Sequence, residues 1–140
     1  MKLVASFTIA FLCIFSASAQ TQAYKNFLKI IKNQKQVLVK EKNLYLAKGE
    51  TGYAIWPASY LEDYTVYCWG EDGDVTDADV YVYDSTGSVI VKDTKNEILG
   101  IVHFTVEDFE NIKVVGKNSG STNPTYKALF HIMLCIKEEE

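Results

Sequence analysis

The sequence contains no arginine, and this absence limits the kind of partner that the protein can have. All 14 basic residues are lysines, against 18 acidic residues, so the net charge at neutral pH is −4. Proteins that bind nucleic acid usually present basic surfaces that are dense in arginine and lysine. The composition therefore predicts that nucleic acid is not a partner.

Sequence motifs of known catalytic sites are also missing. Only two histidines occur, His103 and His131, and both lie in strand-like segments, where a core or face position is expected more often than a general base. The chain has neither the Gly-x-Ser-x-Gly motif of hydrolases nor the His-Glu-x-x-His motif of zinc proteases. Its cysteines lack the close spacing of a zinc site. These absences predict a protein that is not an enzyme.

The one long apolar run lies at the N-terminus. Residues 3–15 form a predominantly apolar run, follow Met1-Lys2 and precede Ser16-Ala17-Ser18-Ala19. This order is typical of a secretory signal peptide, whereas a transmembrane helix needs roughly 20 apolar residues. We therefore predict a signal peptide at residues 1–19, no transmembrane segment, and a secreted or periplasmic protein. The alternative is a buried N-terminal helix, in which the small residues at positions 17 and 19 would have no role.

Lysines are concentrated after this segment. Residues 20–48 hold seven lysines and one acidic residue, whereas residues 50–84 hold nine acidic residues and no lysine. Helical spacing places apolar side chains on one side of residues 22–36 and lysines on another: Tyr24, Phe27, Leu28 and Ile31, and Lys25, Lys29 and Lys32. We predict an amphipathic helix within residues 20–36. It either docks on an anionic surface or partner, or packs its apolar side on its own domain.

Beyond residue 36 the apolar residues alternate with polar ones, as in β-strands. Turn residues separate seven or eight segments rich in tyrosine and valine, within 37–46 and at 53–56, 64–69, 79–83, 88–91, 101–106, 112–115 and 126–136. No helical crossovers lie between them, as parallel strands would require. We predict an all-β, antiparallel, jelly-roll-like sandwich over residues 37–137, with a small barrel as the alternative. Pro57 is expected to end its strand, and residues 117–125 to form a loop.

Two cysteines, Cys68 and Cys135, remain after the signal peptide. An even number of cysteines in an exported protein favours a disulfide, so we predict a bond between these two. The alternative is a pair of buried free thiols that behave as small apolar residues.

The segment from Trp69 to Asp79 is the most unusual part of the chain. Five carboxylates fall within residues 71–79, and no lysine lies near them in the sequence. Their mutual repulsion would be relieved by a hard cation with oxygen ligands. We predict a calcium site formed by two Asp-x-Asp pairs, Asp72, Asp74, Asp77 and Asp79. The alternative is a solvated acidic turn in which an aspartate caps backbone N–H groups.

Aromatic side chains form a second candidate surface. Tyrosine and tryptophan exposed on a sheet can hold glycans or peptides. The predicted strands offer five such residues: Tyr53, Tyr67, Trp69, Tyr81 and Tyr83. The alternative is that the rings fill the core, which is expected above all for Trp56 and Trp69.

The stretch from residue 44 to residue 134 resembles the bacterial pre-peptidase C-terminal (PPC-like) domains. The residues that carry the resemblance are Tyr64–Tyr67, Gly70–Asp84, Gly87, Val89–Asp93 and Val102–Phe104. The resemblance implies a secreted β-sandwich with a binding or accessory role, and calcium occurs in some members. Two features depart from the family: the module stands nearly alone, and Phe109-Glu110-Asn111-Ile112 replaces the usual Gly-x-Tyr strand.

Together these features predict a secreted or periplasmic, non-catalytic binding module that calcium stabilises through its acidic segment. The sequence does not identify the protein or glycan ligand. The alternative function is that of a structural or envelope-associated protein that docks through its lysine-rich N-terminal helix.

Overall fold

The computed structural model describes residues 21–72 and 74–139. It contains one helix, α1 (Gln22–Asn33), and eight strands: β1 (Gln36–Leu46), β2 (Thr51–Ala58), β3 (Tyr64–Gly70), β4 (Val75–Tyr83), β5 (Val89–Asp93), β6 (Leu99–Phe104), β7 (Glu110–Ser121) and β8 (Ala128–Lys137). The chain divides into two compact units, Met1–Ile30 and Ile31–Glu140, and all eight strands belong to the second.

The eight strands form two four-stranded sheets. The first sheet has the order β1-β8-β3-β6, and the second has the order β2-β7-β4-β5. Every pair of neighbouring strands is antiparallel. Eight strands shared in this way between two packed sheets make a jelly roll. The prediction of an all-β antiparallel sandwich is therefore confirmed, with eight strands.

The core lies between the two sheets and is filled by every second residue of the central strands. The first sheet contributes Val66, Phe130, Ile132 and Leu134, and the second contributes Val80, Val82, Ile112 and Val114, all of them buried. The alternation follows from strand geometry, because successive side chains point to opposite faces of a sheet. Trp56 packs against this core, as predicted.

Gly116 on β7 shows how closely the sheets approach. A Cβ atom at this position would lie 2.9 Å from Cys68 Sγ and 2.9 Å from Ile132 Cδ1. Both of those residues belong to the first sheet, whereas Gly116 belongs to the second. The small residue is therefore required by packing, since interiors leave no room for an added methyl group.

Two explicit predictions about where strands end are wrong. Pro57 lies inside β2 and does not end it; β2 is an edge strand that pairs with β7 alone in its sheet, and an edge strand tolerates a residue without an N–H donor. Strand β7 continues to Ser121, through residues expected to form a loop. Asn118 explains the extension, because its buried amide donates hydrogen bonds to Leu46 O (3.0 Å) and Ser121 Oγ (2.8 Å).

Helix α1 is amphipathic, as predicted, but ends three residues early. Thr21 Oγ1 accepts a hydrogen bond from the Tyr24 N–H at 3.1 Å and caps its N-terminus. Lys35 has a φ of 56°, a left-handed conformation that a helix does not use. Within the helix Phe27 and Ile31 are buried, whereas its lysines are exposed: Lys25, Lys29 and Lys32. In the part of the chain that the structure describes, no helix has the length and apolar character needed to cross a membrane.

Candidate functional site

The outer face of the second sheet carries two rows of side chains, in which tyrosine and aliphatic residues lie beside two lysines. The strand register aligns Tyr53, Val115, Tyr81 and Lys92 in the first row. It aligns Ile55, Lys113, Tyr83 and Val89 in the second. We call these eight residues the outer tyrosine face. Tyr53 and Ile55 are 55% and 59% exposed, so this face is presented to solvent rather than to the core.

Contacts within the outer tyrosine face hold its rings in place. The rings of Tyr81 and Tyr83 lie nearly parallel, with centroids 6.4 Å apart and an interplanar angle of 15°. Lys113 Nζ lies 4.6 Å from the centre of the Tyr53 ring, a cation–π contact that orients both side chains. Fixed rings are favourable for binding because little side-chain entropy remains to be lost.

A groove of about 620 Å³ adjoins the second row. It is lined by apolar side chains and by hydrogen-bonding groups: Ile55, Tyr83, Asp84, Ser85, Asn111 and Lys113. Binding sites commonly combine apolar walls with a few polar groups that fix the orientation of the ligand. The groove therefore offers polar anchors beside the rings of the outer tyrosine face.

Tyr67 and Trp69, the other two predicted surface aromatics, lie on the first sheet and are buried. The Tyr67 hydroxyl donates a hydrogen bond to Gln36 Oε1 at 2.6 Å. Trp69 stacks on His131, with ring centroids 4.6 Å apart. The prediction that these two residues belong to an exposed binding surface is wrong, because strand alternation identifies a shared face but not the sheet or its exposure.

His131 lies at the centre of a buried polar cluster that the sequence analysis missed. Its Nε2 lies 2.7 Å from Glu71 Oε2, and its Nδ1 lies 2.7 Å from Asn43 Oδ1 and 3.1 Å from Glu41 Oε1. Burial lowers the pKa of His131, but its hydrogen bonds to Glu41 and Glu71 and their negative charge outweigh this, so the pKa is raised. The cluster holds a buried imidazole ring between two carboxylates, which favour its protonated form.

The first Asp-x-Asp pair of the acidic segment ties two loops together. Asp72 Oδ1 accepts a hydrogen bond from the Asp74 N–H at 2.9 Å, and Asp74 Oδ1 accepts one from Thr122 Oγ1 at 2.8 Å. A hydrogen bond from Tyr126, together with that from the Asp74 backbone, lowers the pKa of Asp72. Protein donors therefore already satisfy these carboxylates, which connect the β3–β4 loop to the β7–β8 loop.

The second pair lies on the outer side of β4. Asp79 is 7% exposed, and its Oδ2 accepts a hydrogen bond from Ser119 Oγ at 2.5 Å. The Oδ1 atoms of Asp77 and Asp79 are buried and accept no hydrogen bond. Burial, followed by the charge of Asp79, raises the pKa of Asp77. Each carboxylate of this pair therefore keeps one buried oxygen outside the hydrogen-bond network, as does Glu71 at Oε1.

The structure does not assemble the four aspartates into one site. Among residues 21–72 and 74–139, no three histidine, cysteine, aspartate or glutamate side chains are grouped in a way that could hold a metal ion. The prediction of a single site formed by Asp72, Asp74, Asp77 and Asp79 is corrected accordingly. Strand β4 begins at Val75, which separates the loop pair from the strand pair.

Cys68 and Cys135 are both buried free thiols, so the predicted disulfide is wrong. In the pairing of β3 with β8, Cys68 is opposite Ile132 and Cys135 is opposite Thr65. The offset of three positions puts the two side chains on opposite faces of the sheet. Cys68 points into the core, and Cys135 does not. Burial raises the pKa of each thiol to about 12, so neither is a reactive thiolate at neutral pH.

Comparison with known proteins gives no family for this chain. No known protein-family profile matches the sequence, and no curated protein matches it. Among solved structures, the chain is similar to a protein of the Bacillus endospore appendages, described as "a novel family of disulfide-linked pili". The two are 13% identical; the match covers 72% of this chain and 93% of that chain, with a TM-score of 0.26. A likeness this low supports no conclusion about function.

Proposed function

We propose that the protein is a secreted or periplasmic, non-catalytic binding module that holds its ligand on the outer tyrosine face. The observation that carries the proposal is the alignment of Tyr53, Tyr81 and Tyr83 on one exposed sheet face. Contiguous exposed apolar surface is typical of interaction sites. Tyrosine is common there because its ring gives contact area while its hydroxyl remains hydrated.

The ligand that suits this face is a glycan or an extended peptide. The rings offer flat apolar surface on which a sugar ring or an apolar side chain can lie. The adjoining groove supplies a carboxylate, a hydroxyl, an amide and an ammonium group, from Asp84, Ser85, Asn111 and Lys113. A PPC-like domain, as the sequence analysis predicts, would have the same kind of accessory role.

Replacing Tyr83 with serine is expected to weaken ligand binding at least about tenfold, because loss of an aromatic anchor commonly costs ~1–2 kcal/mol or more. Tyr83 is chosen because it belongs to both the outer tyrosine face and the groove. The measurement is retention on four insoluble polymers, namely chitin, cellulose, peptidoglycan and gelatin, with the bound fraction determined over a concentration series.

The matched control for this experiment is Tyr45→Ser. Tyr45 is an exposed tyrosine on β1 of the first sheet. The control therefore makes the same tyrosine-to-serine change as Tyr83→Ser, but at a residue outside the outer tyrosine face. The control should bind like the unchanged protein. Equal loss in both variants, or retention by none of the four polymers, would count against the proposal.

Export is tested by the mass of the protein recovered from outside the cytosol. Cleavage after Ala19 should give a chain that begins at Gln20, with or without cyclisation of this glutamine. Intact-mass spectrometry distinguishes this product from the full-length chain. Recovery of the uncleaved chain in the cytosol alone would contradict the proposed location.

We propose that calcium stabilises the module through Asp77 and Asp79. Extracellular calcium sites bind with dissociation constants of about 10⁻⁴–10⁻³ M. At about 10 mM calcium, such a site would contribute on the order of 1–3 kcal/mol and raise the melting temperature by several degrees. Asp79→Asn should abolish the rise. Asp72→Asn should preserve it, because protein donors already satisfy Asp72. If neither calcium nor EDTA changes the melting temperature, the proposal that calcium stabilises the protein is wrong.

A further inference from the structure

A second exposed apolar patch lies at one end of the sandwich, formed by the β2–β3 and β6–β7 connections. Tyr60, Leu61 and Phe109 are 51%, 69% and 68% exposed. The rings of Tyr60 and Phe109 meet edge to face, with centroids 5.2 Å apart at 79°. We call these three residues the apolar tip. They lie outside the outer tyrosine face and have no part in the function proposed above.

The strand register fixes the position of the apolar tip. Ala58, the last residue of β2, pairs with Glu110, the first residue of β7, so the two connections leave the sheet side by side. Glu110 Oε1 also accepts a hydrogen bond from the Ser85 N–H at 2.9 Å, which ties the β4–β5 turn to the same end. The rings are therefore held together by the scaffold while they remain exposed, an arrangement that lowers the entropy lost on binding.

Acidic residues flank the residues of the apolar tip in both connections. They are Glu62 and Asp63 beside Leu61, and Glu107, Asp108 and Glu110 around Phe109. Neither connection contains a lysine. Within the described residues, the ion pairs formed are those of Lys127 and His131, so none of these five carboxylates is neutralised by one. We call these five residues the acidic rim. Beside Asp63 the rim ends at Lys137, whose backbone N–H donates a hydrogen bond to the Asp63 carbonyl at 3.2 Å.

We infer that the apolar tip is a docking site for a lysine- or arginine-bearing amphipathic segment of a partner protein. Interfaces typically place apolar and aromatic anchors at the centre of a polar rim. Here every charged residue of the two connections is acidic, and complementary charge both accelerates association and selects the partner. Anionic lipid surfaces and nucleic acid carry the wrong sign of charge for such a rim. A cationic segment with apolar side chains matches both parts of the patch.

The test uses the full chain and a fluorescent synthetic peptide of residues 20–36, which carries four lysines and no acidic residue. Fluorescence anisotropy at about 50 mM salt should show saturable binding, which weakens strongly at about 300 mM salt because the Debye length shortens. A peptide with its four lysines replaced by glutamate should not bind. No saturable binding of the lysine peptide, or equal binding of the glutamate peptide, would overturn the inference.

Variants of the protein locate the binding. Leu61→Ser combined with Phe109→Ser should weaken peptide binding about tenfold or more. Glu107→Gln combined with Asp108→Gln should weaken it and reduce its salt dependence. The matched control is Ile98→Ser. Ile98 is 67% exposed but lies in the β5–β6 connection and not in the two connections of the apolar tip. The β5–β6 connection lies near the start of β4, because the carbonyl of Glu97 accepts a hydrogen bond from the Ala78 N–H. This control should bind normally, and an equal loss would overturn the inference.

Two further outcomes distinguish this inference from peptide binding on the outer tyrosine face and from membrane contact by the apolar tip. If Tyr83→Ser abolishes peptide binding and the tip variants do not, the peptide binds the outer tyrosine face, and the docking site is overturned while the proposed function stands. If the protein associates with neutral phosphatidylcholine vesicles through Leu61 and Phe109 but does not bind the peptide, the tip is a membrane contact and the inference is wrong.

Discussion

Replacing Phe130 with alanine is expected to lower the free energy of unfolding by about 3–5 kcal/mol. Phe130 is fully buried between the sheets on β8, which pairs with both β1 and β3. A Cβ atom at Gly70 would lie 3.1 Å from Phe130 Cε1, so the ring fits closely against its surroundings. The truncated side chain would leave a cavity that a rigid pair of sheets cannot close.

Urea denaturation followed by far-ultraviolet circular dichroism measures this change, with the slope of the transition checked for constancy. Leu129→Ala is the matched control, because Leu129 is the preceding residue on β8 and is only half-buried, on the other face of the strand. Its cost should be clearly smaller. Equal costs for the two variants would mean that β8 does not present Phe130 to the core.

Replacing His131 with leucine is the second change with a large expected effect. It should lower the free energy of unfolding by about 3–5 kcal/mol near neutral pH. The substitution removes the cation from between Glu41 and Glu71, and a buried pair that loses one partner leaves an uncompensated charge. His103→Leu is the control, because His103 is exposed and forms one hydrogen bond, to Thr65 Oγ1 at 2.8 Å. Its effect should be much smaller than that of His131→Leu.

The charge of His131 also predicts how stability varies with pH. Its pKa in the folded protein is raised above the value of about 6.5 that it has in the unfolded chain. The protonated ring therefore adds stability that is fully present below about pH 6.5 and is lost as the pH rises through the folded pKa. Unfolding measured between about pH 6 and pH 8 should show this loss in the unchanged protein and not in His131→Leu. This window also precedes the ionisation of the two cysteines.

The local part of the fold could be predicted from the sequence, because strand alternation is a local property. From Ile112 to Asn118 in β7, every second side chain is buried and those between are not. The local prediction that failed was the one at Pro57. This proline was expected to end a strand, but it lies in an edge strand, which continues past it. Whether a strand is at an edge depends on the order of strands in the sheet, which no local pattern contains.

The parts of the site that could not be predicted depend on register between distant strands. The offset that separates Cys68 from Cys135 arises from how β3 pairs with β8, and a shift of one residue would reverse it. The His131 cluster joins residues from β1, β8 and the β3–β4 loop in the same way. The acidic segment was correctly identified as unusual, but the start of β4 divides its aspartates into two pairs with different partners.

The central claim, that the outer tyrosine face holds the ligand, is tested most directly by hydrogen exchange of the protein free and bound to the polymer that retains it. The account predicts slower exchange in β2, β4 and β7, around Tyr53, Tyr81 and Tyr83, with β1 around Tyr45 unchanged. Slower exchange confined to α1, where Lys25 and Lys29 lie, would contradict it and favour docking through the N-terminal helix.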